Sequence, residues 1–457
     1  MTSVLLIYPY FKPTHDRSVF RFPPLGVSYI AAALIKDGHD VHMLDCTFLS
    51  RSAALKQSLT LKAEVIGIYC MVTMLEDCLW FAEKLRSTSK LLVAGGPLPT
   101  CDPLPFLGHF DIVVHGEGEK TMQELIHAYQ SGSDMRLIPG IAYRTETILA
   151  ETGEAGISYS TERLFERDLD RIPFPARKLL PNDRYIQYGK QKYGSSVTTI
   201  MSTRGCPFQC EFCSNVVFGG SYRERTARNV VDEIEDVLGL GYQKISFADD
   251  VFTLNRNRVL EICEEIQRRG LHFSWECLGR VDALDYSLAV EMKKAGCTRI
   301  YFGVESGNDE ILKLMNKKIT TEQARFAVEA AHLAGIEVGA FFILFYPGET
   351  DETVINTLHY ATSLPLDYLG LTMPYPLPGT ALYERIKDRL TRQWQPGQNL
   401  FGNHTLIYKS DFSETKMWFG ILKGHIQFEM KRRLGKLGPL VIRLFEKPTD
   451  ALFRRMR

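Results

Sequence analysis

Two successive runs of strand–helix alternation constrain this chain more than any other feature. Short β-branched stretches at residues 4–8, 41–45, 65–70, 91–94 and 112–115 alternate with helical patterns at 25–36, 75–87 and 121–130. Parallel βαβ units have this appearance, so residues 1–135 read as one doubly wound, Rossmann-like α/β domain. Strand patterns resume at 197–202, 244–248, 273–278, 299–304, 338–344 and 368–373, with helices such as 230–238, 258–268 and 322–333 between them. Six consecutive units predict a partial (β/α)6 barrel over residues 195–385, with its site at the carboxyl ends of the strands. Residues 136–194 read as a linker, with a hairpin at 137–144 and 147–151 followed by a Pro-rich stretch from Ile172 to Asn182. Residues 386–457 lose the rhythm and read as a separate, small helical region.

At 457 residues the chain exceeds what one hydrophobic core supports, in keeping with two large domains. Its formal net charge is zero, which provides no global attraction to nucleic acid and disfavours it as a partner. No run reaches the roughly 18–20 apolar residues of a spanning helix, and the first residues lack the basic start and the length of a secretory signal. Three of the ten cysteines are clustered and seven scattered, unlike a secreted disulfide framework, so a cytoplasmic location is expected.

The clustered cysteines lie in Ser202-Thr203-Arg204-Gly205-Cys206-Pro207-Phe208-Gln209-Cys210-Glu211-Phe212-Cys213, directly after the first barrel strand. Soft thiolates at this spacing wrap one small iron–sulfur cluster from a single loop, with Gly205 and Pro207 shaping the backbone. Three ligands leave one iron of a four-iron cluster open, whereas a purely structural cluster closes with a fourth cysteine. Zinc sites pair C-x2-C with a distant second pair, and neither that pair nor a nearby histidine is present.

The C-x3-C-x2-C motif, with the aromatic Phe212 before its last cysteine, resembles the signature of the radical S-adenosylmethionine (SAM) superfamily, over residues 195–380. The resemblance implies a [4Fe–4S] cluster on Cys206, Cys210 and Cys213. Its open iron chelates the amino and carboxylate groups of SAM, whose reductive cleavage yields a 5′-deoxyadenosyl radical. It also implies an external electron donor such as flavodoxin or ferredoxin. Asp249 and Asp250, closing the second strand, are similar to the SAM-binding version of the cobalamin-binding branch; helix N-capping is the competing reading. Arg280 and Glu305, at the ends of the third and fourth strands, are expected to face SAM, against the alternative of an ion pair bracing the barrel. Phe345 stands where relatives often carry glycine.

The first domain resembles the cobalamin-binding module that precedes such barrels. The residues that carry the likeness are the segment Pro23–Ile30, with Leu25, Gly26 and Tyr29, the strand end at Gly95 and Gly96, and the segment Val114–Glu119, with Gly116 and Glu117. The D-x-H-x-x-G motif that supplies an axial histidine in another cobalamin group is absent, and His15 reads as a solvated loop residue. Cobalamin would then bind without a protein histidine below the cobalt.

From Lys423 to Arg457 the chain carries a net charge of about +7, interleaved with Leu437, Leu440, Val441, Ile442, Leu444 and Phe445. Two readings follow: peripheral contact with an anionic membrane, or a basic helix packed on the acidic remainder. The expected activity is methylation of an unactivated carbon of a small metabolite, lipid or natural product, through the deoxyadenosyl radical and methylcobalamin. The alternatives are a cyclisation or rearrangement, as in anaerobic porphyrin ester cyclase-type relatives, and a non-catalytic corrinoid- or redox-sensing protein.

Overall fold

The computed structural model describes residues 1–11, 21–148, 155–215, 217–391, 407–434 and 438–456. His15 and Leu437 lie outside them, as do the side chains of Leu440 and Val441. The first sheet contains β1 (Ser3–Tyr8), β2 (Asp40–Asp45), β3 (Val65–Tyr69), β4 (Leu91–Gly95), β5 (Ile112–Val114), β6 (Ile141–Ile148) and β7 (Ala155–Tyr159) in the order β2-β1-β3-β4-β5-β6-β7. Helices α1 (Leu25–Lys36), α2 (Arg51–Leu61), α3 (Leu75–Leu85) and α4 (Pro97–Cys101) connect its parallel strands, and α5 (Glu119–Ser131) follows the last of them. Strands buried on both faces need apolar residues at successive positions, and Val4, Leu5, Leu6 and Ile7 of β1 meet that need.

The hairpin does not belong to a linker. β6 pairs antiparallel with β5, and β7 with β6, so both extend the first sheet, and the strands start later than the sequence suggests. Nor is the Pro-rich stretch a bare connection. It leads into α6 (Asn182–Tyr193), whose Tyr185 hydroxyl donates to Asp45 Oδ2 at 2.6 Å. Buried Arg177 pairs with Glu233 at 2.6 Å. The segment thus bolts the two domains together with polar groups that are satisfied only in the assembled fold.

The second sheet runs β15-β14-β13-β12-β11-β8, all parallel, and forms an open six-stranded barrel. Its strands are β8 (Val197–Ile200), β11 (Lys244–Phe247), β12 (Ser274–Gly279), β13 (Cys297–Glu305), β14 (Glu337–Ile343) and β15 (Tyr368–Thr372). Two short strands, β9 (Thr203–Arg204) and β10 (Arg223–Glu224), pair antiparallel around the cysteine loop. The outer helices are α7 (Ala227–Gly239), α8 (Arg256–Arg268), α9 (Tyr286–Lys294), α10 (Asp309–Leu314), α11 (Thr321–Leu333) and α12 (Asp351–Ser363). Side chains alternate along each strand. Ile300, Phe302 and Val304 of β13 pack in the core beneath these helices, while Tyr301 faces the lumen with Phe341 and Tyr368.

After α13 (Ala381–Ile386) come α14 (Glu414–Leu434) and α15 (Gly438–Arg455), and they are not a separate tail. Met417, Ile421, Phe428 and Phe453 are buried in the barrel core. Lys416 pairs with Asp351 at 2.7 Å, Lys423 with Asp450 at 2.8 Å and Arg454 with Glu352 at 2.6 Å. Part of the basic charge is thus spent on packing, Ile442 is buried, and Leu444 is exposed. Among the described residues no helix is long and apolar enough to cross a membrane.

Candidate functional site

The cysteine loop leaves the barrel at the carboxyl end of β8 and is held from three directions. Gly205 has φ +85°, and a Cβ there would collide with the Ser221 carbonyl oxygen, so only glycine permits the turn into Cys206. Asn215 donates to the Cys206 carbonyl at 2.9 Å, and Asn316 to the Gln209 carbonyl at 2.6 Å. Glu211, inside the motif, accepts from the Tyr346 hydroxyl at 2.6 Å and pairs with Arg385 at 2.7 Å. Cys206, Cys210 and Cys213 are free thiols at the surface of this loop. Crowding by protein and by the other two thiols pushes Cys213 up to about 11. A bound cation reverses that balance, since coordinated thiols are deprotonated. Three soft donors on one rigid loop fit an iron–sulfur cluster.

The adjacent carboxylates have different roles. Asp249 is buried, and its Oδ1 accepts from the Ser202 and Thr203 N–H groups at 2.6 and 3.1 Å, while its Oδ2 accepts from the Ser202 hydroxyl. It locks the backbone that leads into the cysteine loop, and neither oxygen is left to face a ligand. Asp250 is exposed, and its charge is felt at Cys206 and Cys213.

Arg280 and Glu305 are both buried at the strand ends, but they do not pair with each other. The Arg280 guanidinium lies 3.5 Å from the Phe208 ring centroid, is 2.8 Å from Asp282 and donates to the Lys317 carbonyl at 2.7 Å. Glu305 pairs instead with Lys317 Nζ at 2.8 Å. Burial alone would lower Lys317, but the Glu305 carboxylate, and the charge Cys210 carries when deprotonated, hold it above its ordinary value. Glu305 has φ +70°, a left-handed conformation that a side-chain-bearing residue keeps only where its surroundings impose it.

All seven first-domain candidates, Leu25, Gly26, Tyr29, Gly95, Gly96, Gly116 and Glu117, line a single cavity of about 480 Å³ at the carboxyl edge of the first sheet. Thr199, Met201, Arg204, Phe218 and Ala248 of the barrel line it too, so it lies between the two domains beside the cysteine loop. Gly96 has φ +114°, and a Cβ there would stand 2.7 Å from the Cys70 carbonyl oxygen. A wall of glycine backbone with apolar surroundings fits a bulky, flat cofactor. Glu117 is not free to bind it alone. It pairs with Arg223 at 2.6 Å and Arg204 at 3.4 Å, and Glu119 pairs with Arg204 at 2.6 Å.

The comparisons agree with this division. The family model "Radical SAM superfamily" matches residues 200–361, and the model "B12 binding domain" matches residues 15–126. An uncharacterised methyltransferase of Pyrococcus horikoshii is 33% identical over 84% of this chain and 82% of its own. The chain belongs to the radical SAM superfamily, in its cobalamin-binding branch. This radical SAM enzyme is also 30% identical to the anaerobic magnesium-protoporphyrin IX monomethyl ester cyclase of Rubrivivax gelatinosus, over 85% of this chain and 70% of that one. Its fold matches the radical SAM methyltransferase TsrM of Kitasatospora setae, solved with cobalamin and a [4Fe–4S] cluster. The TM-score is 0.70 at 20% identity, over 85% of this chain and 75% of that one. The cofactors of this radical SAM enzyme are a [4Fe–4S] cluster, SAM and cobalamin.

Sequence reasoning missed Lys317, Arg223 and the ion-pairing role of Arg204. Lys317 follows a short helix in an unremarkable Asn-Lys-Lys run and has no motif to flag it. The two arginines flank the cysteine loop, and that flanking position is the signal that was available.

Proposed function

We propose that this enzyme methylates an unactivated carbon of a small metabolite, lipid or natural product. The observation that carries the reading is the shared cavity: one wall is the cobalamin-type glycine edge and the opposite wall is barrel, next to the cluster loop. When bound, the cofactors supply a hydrogen-abstracting radical from SAM and a transferable methyl group from cobalamin.

The protein's own residues position and enclose. Asp249 fixes Ser202 and Thr203 and so sets where Cys206 stands. Asp250 is the free carboxylate for the SAM amino group, and Glu305, held by Lys317, is placed for the ribose hydroxyls. Arg280 braces the Met315–Lys318 turn against Phe208, at the mouth where the SAM carboxylate would lie. Deeper in the lumen, Tyr301 and Phe341 stack at 5.6 Å between ring centroids, with Tyr368 edge-on to both.

The test is anaerobic reconstitution with iron, sulfide and hydroxocobalamin, then SAM, reductant and candidate substrates. Retained corrinoid with 5′-deoxyadenosine, S-adenosylhomocysteine and a product heavier by one methyl group supports methylation. Deoxyadenosine and a changed product without S-adenosylhomocysteine would favour the ring-forming chemistry named for the Rubrivivax relative. Replacing Cys210 with Ala abolishes deoxyadenosine in either case, whereas a purely sensing protein would form none.

A further inference from the structure

At the opposite edge of the first sheet from the cofactor cavity, Asp37, His39 and His127 converge. Each offers one ligand atom, and these atoms all lie within 4.8 Å of one another. Asp37 caps the carboxyl end of α1, His39 immediately precedes β2, and His127 lies in the last turns of α5. Asp37 and His127 are exposed, so the group is reachable from solvent. His39 is the informative member. Both of its ring nitrogens are shielded from solvent and neither has a hydrogen-bond partner. A shielded imidazole with two unmet nitrogens calls for an occupant, an ion or a water.

We propose that Asp37, His39 and His127 bind a divalent transition-metal cation, zinc or one of similar chemistry. Two imidazoles and one carboxylate are a donor set of borderline softness that suits such ions. Ligand atoms around tetrahedral zinc stand roughly 3.4 Å apart, given bonds of about 2.0–2.2 Å, and small side-chain rotations close the present spacing to that value. The position adds a second attraction, because the carbonyl groups at the end of α1 carry partial negative charge.

The site would clip together the two helices that build the cofactor wall. The first turn of α1 brings Leu25 and Gly26 to the cavity, and the first residue of α5 brings Glu119. A metal at their far ends fixes the spacing of those ends without entering the chemistry, and is distinct from the cysteine loop in place and donor type.

The test uses full-length protein whose iron–sulfur cluster is already loaded, so that the cluster thiols are occupied, after removal of loosely bound metal with a chelator. Zinc titrated by calorimetry should bind at one equivalent and raise the thermal midpoint. His127→Ala and Asp37→Asn, both at exposed positions, should weaken that binding roughly tenfold or more and abolish the stabilisation, with the cluster absorbance unchanged. The proposal is overturned if the loaded protein takes up no zinc, because water then accounts for His39. It is equally overturned if His127→Ala binds zinc as the parent does, because other thiols are then the ligands.

Discussion

Lys317 sits where the cysteine loop, Arg280 and Glu305 meet, and it is the cation nearest the buried Glu305 carboxylate. Replacing it with Met leaves that carboxylate unpaired in a shielded place, and Glu305 then protonates or turns away. SAM affinity of the cluster-loaded Lys317→Met protein should fall roughly 10–100-fold in equilibrium binding, with Lys317→Arg recovering most of it. Unchanged affinity would mean that Glu305 does not face the cofactor. Glu349, in the turn after β14, gives a second prediction. Burial pushes it up to about 7, against donation from the Tyr346 and Phe345 backbone, and its Oε1 has no partner. A raised carboxyl stabilises the fold when protonated, fully so below its ordinary value, and that contribution is lost as pH rises through about 7. Stability to denaturant should therefore drop by about 1 kcal/mol between pH 6 and pH 8, and Glu349→Gln should flatten the drop. The three cysteines and the strand-end glycines were legible because their chemistry is local. The split between Asp249 and Asp250 was not, because a turn decides which of two neighbours points inward.

Phe345 shows the same limit at the scale of an element. Its φ is +65°, where glycine is at ease and an aromatic residue is strained, yet it is almost fully buried. The ring packs on Phe412 and Phe453, and a Cβ on Gly420 would stand 2.6 Å from it. Sequence alone showed an unusual residue at a glycine position and a charged tail. It did not show that the first anchors the second, because contacts between residues about 75 and 108 positions apart leave no periodic trace. Phe345→Gly relieves about 1–3 kcal/mol of backbone strain but forfeits about 3–5 kcal/mol of packing. The variant should lose about 2 kcal/mol of stability, read as a lower thermal midpoint, and limited proteolysis should release α14 and α15 before the barrel. The basic charge was similarly half legible: its sum is plain in the sequence, whereas Glu352, the partner of Arg454, lies on α12.

Across the whole molecule, the Glu117, Glu119, Arg204 and Arg223 group joins the cofactor wall of one domain to the cysteine loop of the other. Arg204 stands two residues before Cys206, and its guanidinium also lies 5.0 Å from the Tyr29 ring centroid in the cavity. The doubly wound domain and the barrel were each readable from their own alternation, but an ion group between them belongs to neither pattern. Its side chains are largely shielded, so its effect should survive salt that would screen a surface pair. Glu119→Gln keeps the shape and removes the charge, which weakens the hold on Arg204 by about 1–3 kcal/mol. Corrinoid retained after desalting should then fall several-fold at constant iron per chain. Binding free energies are reciprocal: if loading the cluster tightens corrinoid binding through Arg204, bound corrinoid must favour the loaded cluster by the same factor. Corrinoid titrations of loaded and cluster-free parent protein should therefore differ, and the difference should shrink in Glu119→Gln. Equal affinities in the two parent forms would show that the ion group only glues the domains and carries no coupling between their cofactors.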